Sequence, residues 1–181
     1  MKQLLAFIMV AVAIASCGGN SGSSGSLGAT DSLAAARTAK DSILAKNKAT
    51  ALASVEAFSS GNVDAMLKDC ASDVVDYGDG SSAPVKNLDS IKMGIKTWLA
   101  AFPDYKAENI MALADGNHVV VFADWSGTFK AALMGMKPTG KSFKIKDADL
   151  FTFNDAGKIT EHRGVQSFNT ILEQVGGKMG K

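Results

Sequence analysis

The most regular pattern along the chain is the alternation of apolar and polar residues over 142–153, SFKIKDADLFTF, followed by NDAG and a second strand-like run. A period of two places Phe143, Ile145, Asp147, Asp149, Phe151 and Phe153 on one face of a strand. Asn154-Asp155-Ala156-Gly157 has turn chemistry, so residues 147–165, DADLFTFNDAGKITEHRGV, predict a β-hairpin. Two carboxylates in the middle of an otherwise apolar row are not what a core strand needs, and they mark this hairpin as the place to look for chemistry.

The remaining pattern supplies the elements around it. Residues 31–60 are Ala-rich and contain no Pro or Gly, which predicts a helix stopped by Gly61, with Asp31 and Asp41 as candidate N-caps. Ile43, Leu44, Leu52, Val55 and Phe58 form its expected buried stripe. Asn62 caps a short second helix from Val63 to about Cys70, and Asp73-Val74-Val75-Asp76-Tyr77 begins a strand. After a Gly/Ser loop over 78–84, Asn87 or Asp89 caps a third helix that packs through Ile91, Ile95, Trp98, Leu99 and Phe102. Beyond Pro103 the period changes to that of strands, at 105–114, 118–129, 142–153 and 158–168, with a short closing helix over 169–175. Three helices and then four antiparallel strands predict an α+β layer, with helices covering one face of a curved sheet.

The first residues read as a targeting segment rather than fold. Lys2 precedes an apolar run from Leu4 to Ala15, which as a helix is roughly 18 Å long, short of the roughly 30 Å of a hydrocarbon core. Ile14-Ala15-Ser16-Cys17 is similar to the lipobox of bacterial lipoproteins, in which the Cys is lipidated and becomes the new N-terminus. The expected organisation is a signal peptide over 1–16, lipidated Cys17 with a Gly/Ser tether over 17–30, and the domain proper over 31–177. Gly18 is not the Asp that retains lipoproteins in the inner membrane in enteric-type sorting, so an outer-membrane anchor is expected for a Gram-negative source.

Charge narrows the classes. Removing residues 1–16 takes away Lys2 and no acid, leaving 18 bases and 18 acids, so no excess points to nucleic acid or an anionic surface. With Cys17 lipidated, Cys70 has no partner within the chain and reads as a small buried hydrophobe. The only two histidines, His118 and His162, lie far apart with no third ligand in view, so neither a metal site nor a cofactor is expected.

Several phrases carry a family resemblance by their order: Ala57-Phe58, Gly61-Asn62-Val63-Asp64-Ala65-Met66-Leu67, Asp73-Val74-Val75, Phe102-Pro103-Asp104, Met134-Gly135-Met136-Lys137-Pro138-Thr139-Gly140-Lys141 and Gly157-Lys158-Ile159-Thr160-Glu161-His162. Over roughly 41–176 the chain resembles the SnoaL-like (polyketide cyclase-like) branch of the nuclear transport factor 2-like (NTF2-like) superfamily. The resemblance implies an NTF2-like cone, with three N-terminal helices packed on a strongly curved, mainly antiparallel sheet around a pocket. It also implies a homodimer paired through the sheet.

On a cone, the parity of Asp147 and Asp149 aims them at the pocket, where desolvation raises a carboxyl pKa towards values useful for proton transfer. Related folds, ketosteroid isomerase among them, use such an Asp as general base. The alternative is that Asp149 pairs with Arg163 and is structural. Only one of Glu161 and His162 can enter the pocket, and His162 is the proton-transfer candidate by intrinsic pKa; His118 is expected in solvent.

Tyr77 and Asp76 stand where the family places pocket-lining polar residues. Trp98 and Phe102 are expected to line the pocket from the third helix, Trp125 to face either the pocket or a dimer partner, and Met134 and Met136 to form an apolar lip. The family's usual carboxylate after the Glu-His phrase is missing, because Arg163-Gly164-Val165-Gln166-Ser167 occupies those positions; Arg163 is instead a candidate for holding an anionic group. The resulting expectation is a membrane-tethered domain that binds a small, partly apolar molecule. The alternative is an isomerase, cyclase or hydratase-like enzyme using Asp149 or Asp147 with His162 or Tyr77.

Overall fold

The computed structural model of the chain describes residues 27–177. Cys17, the expected signal peptide and most of the expected tether lie outside the described residues. The chain divides into two compact units, 1–36 and 37–181, and the second contains every strand. Helix α1, Leu27–Ser59, starts within the expected tether, as an Ala-rich run without proline can. Among the described residues no helix is long and apolar enough to cross a membrane.

The packed part of α1 begins at Asn47, and it packs through small residues: Ala51, Ser54, Val55 and Ala57 are all buried. Ile43 continues the same stripe one turn earlier but is 58% exposed, so the expected apolar stripe is shorter than the sequence suggested. Gly61 follows with φ +74°, the left-handed conformation that stops the helix. Asn62 then caps α2, Val63–Leu67, its side chain accepting from the Ala65 N–H at 3.1 Å. The helix is a single turn, and Cys70, expected at its end, opens strand β1, Cys70–Asp76. There Cys70 is half-buried against the core, and burial pushes its thiol up to about 11. Asn87, rather than Asp89, caps α3, Leu88–Ala101, accepting from Ser90 N–H at 3.0 Å.

The remaining elements are β2, Lys106–Asp115; β3, His118–Thr128; β4, Ser142–Phe153; β5, Ile159–Gly164; and α4, Phe168–Val175. They complete one five-stranded sheet in the order β1-β5-β4-β3-β2. All neighbours are antiparallel except β1 and β5, which run parallel. Among the described residues the expected three helices followed by four antiparallel strands thus become four helices, the last at the expected closing position, and a curved mixed sheet. Strand β1, formed between α2 and α3, joins the far edge beside β5, a long-range pairing that alternation alone does not reveal.

The hairpin turn forms as its residues predict. Gly157 has φ +73° and donates to the Asn154 carbonyl at 2.9 Å, while the Asn154 side chain accepts from Lys158 N–H at 3.0 Å. A Cβ at Gly157 would lie 3.3 Å from Lys46 Nζ, so α1 approaches this turn closely. On β4 the odd-numbered residues face the helices, with Phe143, Ile145, Phe151 and Phe153 buried. Val119, Val121, Ala123 and Trp125 extend that buried face onto β3, and buried Phe129 follows its last residue. Burial of this apolar area is the dominant stabilising term. On the other face of the sheet Met111, Leu113 and Phe122 are exposed, with Met111 directly opposite Phe122.

Candidate functional site

Strand β5 brings His162 opposite Phe151 on the helix-covered face, their rings 5.1 Å apart. The parallel pairing of β1 with β5 sets Asp76 beside it, and Tyr77 N–H donates to the His162 carbonyl at 2.9 Å. Asp149 lies on the same face of β4, on the other side of the ring. His162 is thereby clamped between two carboxylates, with Nδ1 at 3.1 Å from Asp76 Oδ1 and Nε2 at 3.1 Å from Asp149 Oδ1.

Burial alone would lower the imidazole's pKa. Hydrogen bonds and negative charge from Asp149 and Asp76 outweigh burial and push it up to about 10. The ring is an imidazolium at neutral pH and donates from both nitrogens. Asp76 responds in kind: burial raises its pKa, but the His162 contact more than compensates and holds the carboxyl below its ordinary value.

The three groups differ in what is left over. Asp76 remains 28% exposed and spends Oδ1 on Gly78 N–H as well, at 2.9 Å. Asp149 is 14% exposed, and its second oxygen, Oδ2, is buried without a hydrogen-bond partner. A buried carboxylate oxygen left unpaired costs stability, so its presence calls for an explanation. Asp149 and His162 help to line an internal cavity of about 30 Å³, together with Ser54, Val55, Phe58, Met66, Trp125 and Phe151.

Asp147 shares the strand and the face, but its Oδ1 accepts from Gln166 N–H and Ala148 N–H, each at 2.7 Å. Its carboxyl is raised above its ordinary value by burial, with the Asp149 charge adding to it and the backbone donors opposing. It anchors the chain after β5 and is not among the cavity-lining residues.

Aromatic rings fill most of the space that the cone resemblance reserved for a ligand. Trp125 is buried on the helix-covered face and stacks on Tyr105, centroids 4.8 Å apart at 16°. Tyr105 also packs against Phe58 at 4.8 Å and takes the Trp98 ring edge-on at 5.6 Å. Phe102 is fully buried between Phe129, Phe143 and Trp98, so it is core rather than pocket wall. Trp98 Nε1 is buried with no hydrogen-bond acceptor in proper geometry, although it lies near enough to the Tyr105 hydroxyl to favour that group's ionised form slightly. Burial, with the charges of Asp149 and Asp147, dominates and raises Tyr105 well above its ordinary value. The hydroxyl is neutral.

Other expected pocket residues lie elsewhere. Arg163 does not reach Asp149: its guanidinium sits 3.7 Å above the Tyr77 ring and contacts Glu161 at 3.4 Å. Arg163 and Tyr77 therefore pair with each other on the outer side of the β1–β5 edge, because residue 163 has the opposite strand parity to His162. Met134 is 65% exposed in a tight turn with φ 49°, while Met136 is buried in the core, so the two do not form one lip. His118 is exposed at the start of β3.

Sequence reasoning did not single out Ser54 or Tyr105, and it placed Phe58 in the buried stripe of the first helix rather than at the cavity. For Tyr105 one signal was available, an aromatic residue where the chain leaves Pro103 and enters a strand. An open surface groove of about 430 Å³ is lined by Tyr105 with Glu56, Ser59, Pro103, Asp104 and Ile110 among others.

The family model described as SnoaL-like polyketide cyclase matches residues 48–175. Among solved structures, AclR from Streptomyces galilaeus, named as a candidate hydroxylase, is 27% identical with a TM-score of 0.63, over 74% of this chain and 97% of that one. IdmH from Streptomyces antibioticus, named as a candidate polyketide cyclase, is 26% identical with a TM-score of 0.58, over 72% and 98%. A protein from Xanthomonas campestris, likewise named as a candidate polyketide cyclase, has a TM-score of 0.67 at 19% identity, over 74% and 98%, and bears on the fold alone. No curated protein matches.

Proposed function

The chain belongs to the SnoaL-like polyketide cyclase family, and we propose that its domain takes a small, partly apolar carbonyl compound into the helix-covered side of the sheet and moves a proton there. The observation that carries this reading is the division of labour at Asp149, a residue that lines the cavity: Oδ1 is fixed by the His162 imidazolium while Oδ2 is buried and unpaired. A base needs a fixed orientation and a free lone pair, and Asp149 has both. In the proposed step Oδ2 takes a proton from the carbon next to the carbonyl. The electron pair of the broken C–H bond moves into an enol(ate), the protonated Asp149 carboxyl exchanges with solvent, and a solvent-derived proton returns from it to a carbon of the product.

His162 acts as a positioning residue in this scheme. Its pKa of about 10 keeps it charged throughout, so it orients Asp149 rather than exchanging protons itself. Asp76 holds the other side of the ring and fixes its rotation.

The test is deuterium uptake. Incubated in D2O with 2-tetralone, a ketone with acidic α-hydrogens, the purified domain is expected to speed α-hydrogen exchange, and Asp149→Asn to reduce that acceleration about 100-fold or more. Exchange unchanged by the substitution contradicts the assignment.

A second reading, a binding domain without catalysis, is favoured by Arg163-Gly164-Val165-Gln166-Ser167, which stand where the family usually carries an acid/base carboxylate. Retention of an intact ligand through purification, with no exchange chemistry, distinguishes it.

Membrane attachment through Cys17 is part of the proposal, supported by Ile14-Ala15-Ser16-Cys17 and the Gly/Ser stretch behind it. Cys17→Ser is expected to move the protein from the membrane fraction, with the outer membrane the expected site, to the soluble one. Pairing of two copies through the outer sheet face is supported by exposed Met111, Leu113 and Phe122. Phe122→Lys is expected to yield monomers in sedimentation if that face is the interface.

A further inference from the structure

The connection from β3 to β4 ends in a two-residue turn whose first residue is not one that such turns prefer. Leu133 and Met136 exchange backbone hydrogen bonds at 3.2 and 2.8 Å, and Met134 and Gly135 between them both have positive φ, 49° and 78°. Turns of this kind favour Asn, Asp or Gly at the first position, since other side chains meet backbone strain there without a local hydrogen bond to offset it. Met134 is moreover 65% exposed, an apolar side chain held in water. The rest of the connection is tied down. Leu133 and Met136 are buried, Phe129 N–H donates to the Lys141 carbonyl at 2.9 Å, and Thr139 Oγ1 donates to the Val175 carbonyl at 2.6 Å. Folding accounts for the residues beside Met134 but not for Met134, and such an outlier points to function.

Charge around the tip is uneven too. Without residues 1–16 the chain is formally neutral, yet residues 125–146 carry five lysines and no acid. Two of these lysines, Lys144 and Lys146, lie on β4 near Asp124, which pairs with Lys146 at 2.6 Å. Lys130, Lys137 and Lys141 flank the turn, are exposed, and make no ion pair among the described residues; the nearest acid is Asp104, beside Lys130 and bound by Thr128. We propose that the Met134 tip, with Lys130, Lys137 and Lys141 on its two arms, docks on an anionic phospholipid bilayer. The size of the apolar contact selects this occupant. A specific protein interface buries roughly 1,000 Å² or more, far beyond one exposed Met, whereas a membrane surface is held by a small apolar insertion backed by cations. Residues 18–46 alone separate Cys17 from Asn47, where α1 becomes packed, so a lipid anchor at Cys17 keeps the domain at high local concentration beside the bilayer. The inference rests on the membrane attachment proposed above and deepens it: the lipid attaches the chain, and the tip sets which way the domain faces.

The protein carries its own control, because Met93 on α3 is 67% exposed, as open as Met134. Dilute hydrogen peroxide converts an exposed thioether to its sulfoxide and is itself reduced to water, and mass spectrometry gives the rate at each Met. For the lipidated chain in phosphatidylcholine vesicles the two rates are expected to be similar. With about 30% phosphatidylglycerol in the vesicles, Met134 is expected to oxidise about 5-fold more slowly than Met93. Acetylation of Lys137 is expected to fall several-fold against that of exposed Lys86, and about 0.5 M NaCl to restore both. Met134→Asn suits the backbone of the turn, so it is expected to leave thermal stability unchanged or raised while the protection of Lys137 is lost. A loss of stability instead assigns Met134 to the fold and overturns the proposal. Equal oxidation rates in the two vesicle types overturn it as well. So does Met134 protection without vesicles that grows with protein concentration, which signals a second copy. Failure of the anchor is distinguishable. A chain found without lipid is mixed with excess phosphatidylglycerol vesicles; protection there keeps the tip contact and removes the anchor, and its absence overturns both. A lipidated chain with equal rates removes the tip contact and keeps the anchor.

Discussion

Asp147 and Asp149 stand two residues apart on one strand and one face, and the surroundings of each give it a different task. Around Asp147 the chain leaves β5 and turns, exposing a backbone N–H at Gln166 that the carboxylate accepts at 2.7 Å, with Ala148 N–H alongside. Around Asp149, a cavity-lining residue, the neighbouring strand is still regular and presents His162, which occupies one oxygen and leaves the other buried and unpaired. The first carboxylate holds the fold together. The second is held by the fold with one oxygen spare. Equal side chains at equal parity thus diverge through what the adjacent backbone offers, hydrogen-bond donors in one case and a side-chain cation in the other.

The largest expected effect separates the two directly. Asp149→Asn is expected to lower α-hydrogen exchange about 100-fold or more, whereas Asp147→Asn, which keeps an oxygen for Gln166 and Ala148, stays within a few-fold of wild type. Comparable losses in both would erase the distinction.

Next in size is stability at His162. Removing it by His162→Gln leaves two half-buried carboxylates facing each other and is expected to cost about 1–3 kcal/mol at pH 7, measured by urea denaturation. The pH dependence has a definite sign. His162 has a folded pKa raised from 6.5 to about 10, so its contribution is fully present below about 6.5 and fades as pH rises through about 10. The gap between wild type and His162→Gln is therefore expected to narrow from pH 7 to pH 10. A gap that widens over that range would mean that the ring is not held as an imidazolium.

Asp147→Ala sharpens the other half of the comparison. It leaves the partly buried Gln166 N–H without its acceptor and is expected to destabilise by about 1–2 kcal/mol. The smallest effect is expected at Arg163, whose contacts with Tyr77 and Glu161 are exposed. Arg163→Ala is expected to change stability by about 0.5 kcal/mol or less and to leave exchange unaltered. A large loss of activity there would restore Arg163 as a partner of the site.

Much of this was legible in the amino-acid order. The alternation over β4 placed both carboxylates on the helix-covered face, and Asn154 with Gly157 marked the turn, because strand parity and turn chemistry are local properties. Capping by Asn62 and Asn87 was local as well. The partner of Asp149 was not legible. The ladder between β4 and β5 shifts at Thr152 and Phe153, and an irregularity of that kind decides which residue of β5 stands nearest without leaving a mark in the alternation. Asp76 reaches His162 only because β1 crosses to the far edge and pairs in parallel with β5, a long-range event. Trp98, Phe102 and Trp125 read equally well as core or pocket from their spacing. What separates them is that Trp125 lines the cavity while Trp98 and Phe102 line neither it nor the groove, an outcome of tertiary packing that no sequence pattern displays.

The measurement that bears most directly on the central claim is the ratio of α-hydrogen exchange rates for Asp149→Asn and Asp147→Asn with 2-tetralone in D2O, both variants first shown to be folded. The account predicts that the Asp149 variant is slower than the Asp147 variant by about 100-fold or more. Equal rates, or a slower Asp147 variant, would contradict it.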